Sequence, residues 1–209
     1  MARNLDSKCK VCRRAGKKLF LKGERCYTAK CAMIRRKYPP GAHGAKRFSQ
    51  SSEYGEILRE KQNMKNSYGL LERQFSNYFV KAKKRKGDPS INFLTLLEKR
   101  LDNVLYRAGF FISKNKTRQV ISHGLVKVNG KRLDIPSYEV EVGDSITLKE
   151  KETTVKEARE NLSKKTEENL PIWFSVDKNN LEIKILRNPI GEDLPKEFDV
   201  YLVLEFYSR

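Results

Sequence analysis

The chain has 209 residues, 38% of them hydrophobic and 33% charged, with a formal net charge of +18 at pH 7. That length can bury one or two modest cores without disulfides. Its longest apolar runs are only a few residues and its first ten residues hold no apolar signal core, which excludes a membrane-spanning helix and leads us to expect a cytoplasmic location. The charge is unevenly spread. Residues 1–88 hold 24 Lys and Arg against 7 Asp and Glu, residues 89–132 hold 9 against 2, and residues 133–209 hold 11 against 17. A short charge run is usually a solvated face. Unbalanced charge sustained over the first two-thirds of a chain would strain a free compact protein by self-repulsion, and it points to a polyanionic partner.

In chain order, the first feature is Cys9, Cys12, Cys26 and Cys31, separated by two, thirteen and four residues. This is the spacing of two knuckles that close on one ion. Four soft thiolates suit one structural zinc, although an iron–sulfur cluster uses the same ligands. Disulfides are disfavoured in reducing cytosol, and no apolar core surrounds these residues to make them core cysteines. Metal binding on the order of 10–16 kcal/mol could order a segment too polar to fold alone. Nothing beside the cysteines suggests catalysis. Lys8, Lys10, Arg13 and Arg14 would offset the thiolate charge and, with Arg35 and Arg36, are candidate phosphate contacts.

Tyr38 to Gly44, YPPGAHG, is a rigid non-helical connector. His43 lacks an imidazole partner and reads as a hydrogen-bonding group, not a metal ligand. Lys46 and Arg47 follow on an exposed stretch. From Ser52 to about Lys86 the spacing is helical, with Tyr54, Ile57 and Leu58, then Tyr68, Leu71, Phe75 and Phe79, as apolar stripes; at that spacing the aromatics read as core. Lys83, Lys84 and Arg85 belong to a basic cluster that reads as a phosphate clamp, and Gly87-Asp88-Pro89 breaks the helix.

Arg100 to Arg132 reads as two short helices and a hairpin. Leu101, Val104, Leu105 and Ala108 form a buried stripe, with Arg100, Asn103 and Arg107 on another face. Gly109 stops the first helix, and Ser113 caps a second that carries Lys114, Arg118 and Gln119. Gly124 ends it. Leu125–Val128 is a strand, and Asn129-Gly130 is the dipeptide favoured by a type I′ turn, returning through Lys131 and Arg132. Arg100, Arg107, Lys114, Arg118, Lys127, Lys131 and Arg132 are the candidate phosphate contacts here, with Gln119 and His123 as hydrogen-bonding additions; Asn103 and Asn129 read equally well as structural. Further short strands are expected at 135–140 and at 142–148, an exposed helix at 149–165 and a strand at 182–186, with Trp173 and Phe174 packing on the sheet. Residues 188–196 read as a loop. The segment 198–209 alternates like a strand.

Helix, turn, helix and VNGK hairpin, in that order, resemble the RNA-binding module of the family of the fourth small ribosomal subunit protein. KYPPGAHG at 37–44, EYGEILREKQ at 53–62, YGLLERQFSNYF at 68–79, IPSYEV at 135–140 and EFYSR at 205–209 extend the likeness to the bacterial type over nearly the whole chain. The resemblance implies an α+β protein: a zinc-knuckle and basic segment at 1–45, a discontinuous helical domain at 46–90 plus 197–209, and a domain at 91–196 holding the module, its core at about 98–160, as helices on a small antiparallel sheet. It turns the terminal segment into a helix, against local alternation. It further implies binding to a helix junction in the leading domain of small-subunit ribosomal RNA, nucleation of subunit assembly, a neighbour in small-subunit protein five, a place for Lys46 and Arg47 beside the path by which messenger RNA enters with effects on translational accuracy, and repression of the protein's own operon. Family members without the cysteines exist, so the metal is permitted by the resemblance and not required by it. The resemblance implies neither a small-molecule substrate nor a homo-oligomer. The rival from another class is an RNA-modifying enzyme, such as a pseudouridine synthase, that carries the same module; it needs a catalytic aspartate in a pocket, and no acid–base constellation, triad or phosphate loop stands out. A free-standing stress-related RNA binder is the other rival, which the cysteines and the helical region argue against.

Overall fold

The computed structural model describes residues 4, 6–46, 52–164 and 170–208; Arg47 lies outside them. The chain divides into two compact units, residues 1–90 with 195–209 and residues 91–194. Among the described residues no helix is long and apolar enough to cross a membrane.

In the first unit, α1 (Lys8–Ala15) and the single turn α2 (Ala32–Arg35) pack together. The long α3 (Glu53–Ser67) begins where Ser52 Oγ accepts the Gly55 amide at 3.2 Å. Glu53 and Glu56 in its first turn and Lys65 in its last suit the helix dipole. A break at Tyr68–Leu71 separates it from α4 (Glu72–Lys84). Ile57, Met64, Tyr68, Leu70, Phe75 and Phe79 are buried, as core aromatics and aliphatics should be; Tyr54 stays exposed.

Residues 200–208 form a helix, α9 (Val200–Ser208), against α3 and α4. The strand-like alternation of this stretch gives way because Val200, Val203 and Tyr207 fall on one helical face toward the core of this unit. Glu72 ties it down. Its carboxylate accepts from Lys61 Nζ at 2.8 Å, Lys65 Nζ at 2.9 Å and Tyr207 Oη at 2.7 Å. Lys61, itself buried, also lies 4.0 Å from the Phe206 ring centre, and Tyr207 stacks on Phe79 at 5.0 Å. A second carboxylate, Glu60, holds Lys17 Nζ at 3.0 Å and the Asp199 amide at 3.3 Å.

The second unit is α+β. It comprises α5 (Pro89–Glu98, all but its first two residues), α6 (Leu101–Ala108), α7 (Lys114–Ser122) and α8 (Glu152–Ser163) with a five-stranded antiparallel sheet. The strands are β1 (Val126–Val128), β2 (Lys131–Leu133), β3 (Ser145–Leu148), β4 (Phe174–Asp177) and β5 (Glu182–Ile185), in the order β2-β1-β3-β5-β4. Leu101, Val104, Leu105, Ala108, Val120, Ile121, Val126, Ile146, Trp173 and Ile183 share one core. Trp173 is wholly buried, edge-on to Phe174.

Three expectations need correction. Residues 135–140 are not a strand: one bridge, Arg100 to Glu139, and turn hydrogen bonds fix them, because Pro136 cannot donate to a ladder. Residues 174–177 are strand β4, overlooked in sequence because Phe174-Ser175-Val176-Asp177 alternates over only four residues. Helix α8 is not simply exposed, since Thr154, Ala158, Asn161 and Leu162 are buried and Asn161 donates to the Phe110 carbonyl at 3.0 Å.

The Glu72 clamp makes the first unit acid-sensitive. Burial by itself would raise the Glu72 carboxyl, but the hydrogen bonds from Lys61, Lys65 and Tyr207 outweigh it and hold the group at about 2, below its ordinary 4.5. Tyr207 is pushed up by burial and by its bond to Glu72. A carboxyl lower in the folded than in the unfolded state contributes stability that is full above about pH 4.5 and is lost as pH falls toward about 2. Thermal melts of wild type and Glu72→Gln should therefore differ most above pH 4.5 and converge toward pH 2; a constant gap across that range would show that the clamp is not electrostatic.

Candidate nucleic-acid interface and cysteine cluster

In the second unit the cations stand on α6, α7 and the β1–β2 hairpin. Ser113 Oγ caps α7 by accepting the Lys116 amide at 3.3 Å. Thr117, Val120 and Ile121 turn into the core, which leaves Lys114 partly exposed, Arg118 mostly covered, and Gln119 and His123 exposed. Lys114 Nζ lies 5.4 Å above the Tyr106 ring. In the sheet, Lys127 pairs laterally with Arg132 on one side and Thr147 on the other, while Val126 and Val128 face the core. Register thus brings Lys127 and Arg132 side by side on the solvent face. Lys131, also exposed, pairs with Val128 at the turn.

The hairpin is held by more than its turn type. Asn129 and Gly130 both have positive φ, +49° and +77°, as a type I′ turn demands. Asn129 Nδ2 donates to Asp144 Oδ1 at 2.8 Å, its Oδ1 accepts the Ser145 amide at 2.9 Å, and Asp144 Oδ2 accepts the Glu141 amide at 2.8 Å. Asn129 is therefore structural. Gly124, at φ +66°, closes α7, and a Cβ there would collide with the Arg132 guanidinium. The Arg132 side chain lies across the bare glycine at the end of α7.

Arg100 is a correction. It is 1% exposed, and its Nε and Nη2 donate to Asp102 at 3.0 and 2.7 Å, so it is a buried ion pair and not a surface phosphate contact. Asn103 is likewise buried, donating to the Glu98 carboxylate at 2.9 Å. Arg107 and Arg118 reach the surface, each beside a buried carboxylate: Arg107 on Glu98, and Arg118 Nε 3.6 Å from Asp102. Sequence reasoning gave neither Glu98 nor Asp102 a cation to hold, because nothing local marks an acidic residue that lies beneath a cation nine or sixteen positions away.

In the first unit Lys10, Arg14, Arg35, Arg36, Lys46, Lys83, Lys84 and Arg85 are exposed. Arg13 has a structural task. It donates to the Tyr38 and Pro39 carbonyls at 2.9 and 3.1 Å and lies 4.9 Å from the Tyr38 ring centre, tying α1 to the proline-rich connector. Lys8 Nζ donates to the Asn4 carbonyl at 2.6 Å. His43 is exposed, and its carbonyl accepts the Lys46 amide at 3.0 Å.

Cys9, Cys12, Cys26 and Cys31 are all free thiols, three of them buried. α1 supplies Cys9 and Cys12, a 3-10 turn ends on Cys26, and Cys31 opens α2. All four line one open cavity together with Lys8, Lys22 and Arg25. Burial pushes the Cys12 thiol up, a backbone hydrogen bond at Leu19 opposes it, and the charges of Cys26, Cys9 and Cys31 raise it further. The Lys22 amide donates to Cys26 Sγ at 3.3 Å. As they stand, no three His, Cys, Asp or Glu side chains among the described residues are drawn together as a metal-holding group.

Residues 3–98 match the family described as Ribosomal protein S4/S9 N-terminal domain, and residues 99–146 match the S4 domain. Proteins bearing the name small ribosomal subunit protein uS4 are similar over the full length of both chains: 49% identical in Thermus thermophilus, 47% in Thermodesulfovibrio yellowstonii and 46% in Halothermothrix orenii.

The Gly124 seat yields a stability test. Gly124→Ala adds left-handed strain of about 1–2 kcal/mol, while the exposed end of the Arg132 side chain can move aside from the new Cβ. It should lower the melting temperature by the strain alone, and adding Arg132→Ala should recover little. Full recovery in the double variant would show that contact with Arg132, not backbone strain, sets the cost.

Proposed function

The chain belongs to the uS4 family of ribosomal proteins, and on that footing we propose that it is a structural constituent of the small ribosomal subunit that binds ribosomal RNA and catalyses nothing. One observation carries the RNA-binding mechanism. Cations on α7 and on the β1–β2 hairpin are fixed by capping, register and a pinned turn above a single apolar core. Such a surface suits RNA, whose deep groove excludes side chains, so that backbone and junction geometry are what a rigid protein reads. Neutralised phosphates release counterions, which makes affinity salt-dependent.

The finer reading concerns the target and neighbours. The target is a helix junction in the leading domain of the small-subunit RNA, bound early enough to nucleate assembly. Lys46, with Arg47, stands beside the path of incoming messenger RNA, small-subunit protein five is the neighbour, and the free protein represses its own operon. The family resemblance supports these, together with the exposed cations of the first unit.

The four cysteines are, in this reading, the ligands of one structural zinc. Their convergence on one cavity supports it, as does the chemistry of the donor set. A dication would offset both the burial that chiefly raises the Cys12 thiol and the smaller repulsion from its neighbours, and so keep the thiolates deprotonated. Lys8, Lys22 and Arg25 offset the remaining negative charge. An iron–sulfur cluster would use the same four sulfurs.

Two outcomes test this. Replacing Lys127, Lys131 and Arg132 by Ala together should weaken binding to a leading-domain transcript and flatten its salt dependence by up to about 0.9 for each phosphate no longer neutralised. Wild-type protein that ignores that transcript at modest ionic strength refutes the RNA-binding reading. Elemental analysis should find about one zinc per chain, lost in Cys9→Ser/Cys12→Ser while the second unit still melts as before; full metal in the variant rules the site out.

A further inference from the structure

We infer that Glu98 is a positioning residue for RNA recognition, a buried carboxylate that sets the plane and reach of Arg107 and thereby the selectivity of the basic face. This rests on the RNA-binding reading above. Glu98 ends α5 and is 0% exposed. Its Oε2 lies 2.5 Å from Arg107 Nε, and its Oε1 accepts from Arg107 Nη2 at 3.0 Å. Two parallel bonds between planar groups fix the orientation of the guanidinium, which a single bond leaves free to rotate. The carboxylate is itself held: Asn103, buried on α6, donates to Glu98 Oε2 at 2.9 Å and to the Glu98 carbonyl at 3.3 Å. Yet the Arg107 side chain remains 28% exposed, so a ligand can reach it without breaking the pair. Asp102 repeats the arrangement more loosely, gripping Arg100 and lying 3.6 Å from Arg118, whose side chain is 11% exposed.

Charge and geometry separate at this pair. Glu98 and Arg107 together are neutral, so Arg107 adds little to the long-range pull on a polyanion. What it adds is a donor array at a fixed place, which a shaped RNA can use and an arbitrary duplex cannot. Glu98→Gln raises the local positive charge by one while loosening Arg107. It should therefore leave non-specific duplex binding unchanged or stronger, with a steeper salt dependence, and weaken binding to the cognate junction. A merely structural role would weaken both together.

The test uses the full chain. Wild type, Glu98→Gln, Arg107→Gln and the double variant are titrated against a leading-domain transcript of small-subunit RNA and against an unrelated RNA duplex, over a series of salt concentrations. Glu98→Gln should lose roughly three- to tenfold in junction affinity, the loss expected when one long side chain must be ordered on binding, lose nothing on the duplex, and lose nothing further in the Arg107→Gln background. Equal losses on both RNAs, an equal loss in the Arg107→Gln background, or an unchanged junction affinity would each overturn the inference. If Glu98→Gln does not fold, Glu98→Asp keeps the charge and shortens the reach: it should weaken junction binding at an unchanged salt slope, and unaltered affinity would overturn the inference. Failure of wild type itself on the transcript would instead bring down the RNA-binding reading.

Discussion

Mutual repulsion among cations is the constraint under which this chain folds. A net charge of +18 on 209 residues opposes compaction, and each unit pairs selected cations with carboxylates, buried ones in the second unit and more exposed ones in the first. In the second unit Glu98 and Asp102 hold Arg107 and Arg100, with Arg118 close by. In the first, Glu60 and Glu72 hold Lys17, Lys61 and Lys65. Pairing a buried charge is compulsory, because an unpaired one would carry several kcal/mol of desolvation. The paired set stiffens each scaffold, and the cations on the exposed faces are left to interact with a partner.

Sequence periodicity revealed the skeleton of the second unit because its signals are local. The stripe from Leu101 to Ala108, the Ser113 cap and the Asn129-Gly130 turn each depend on neighbours a few positions away. What escaped the local pattern depends on distant partners. Arg100 looks like a surface cation until Asp102 and the bridge to Glu139 bury it. β4 is recognisable only once β5 pairs with it, and α9 reads as a strand until α3 and α4 supply the face that selects a helix. Alternation over ten residues cannot compete with an apolar surface already in place.

The candidate sites divide in the same way. Cysteine spacing suggests a metal site, and in the fold all four cysteines line one cavity, although no three of the described His, Cys, Asp or Glu side chains are drawn together as a metal-holding group. The identity of RNA-facing residues was less legible, since composition counts cations without distinguishing those with structural tasks. Arg13 and Arg100 sit within basic runs yet serve the fold, one bracing the proline-rich connector and the other sealed beneath α6. Gly124 carried a helix-stop signal in sequence, but that its bare Cα also seats Arg132 is visible only in three dimensions.

The placement of α9 has a consequence for how the chain comes off the translating machinery. Its seat is built by residues between Tyr54 and Lys84, but more than a hundred residues separate that seat from Val200. At about 5–20 residues per second, the interval is on the order of ten seconds. During it residues 91–194, a compact unit of their own, are free to form ahead of the earlier segment. The face that α9 covers therefore stays uncovered until Phe206 and Tyr207 have been made, whereas residues 91–194 carry a core of their own.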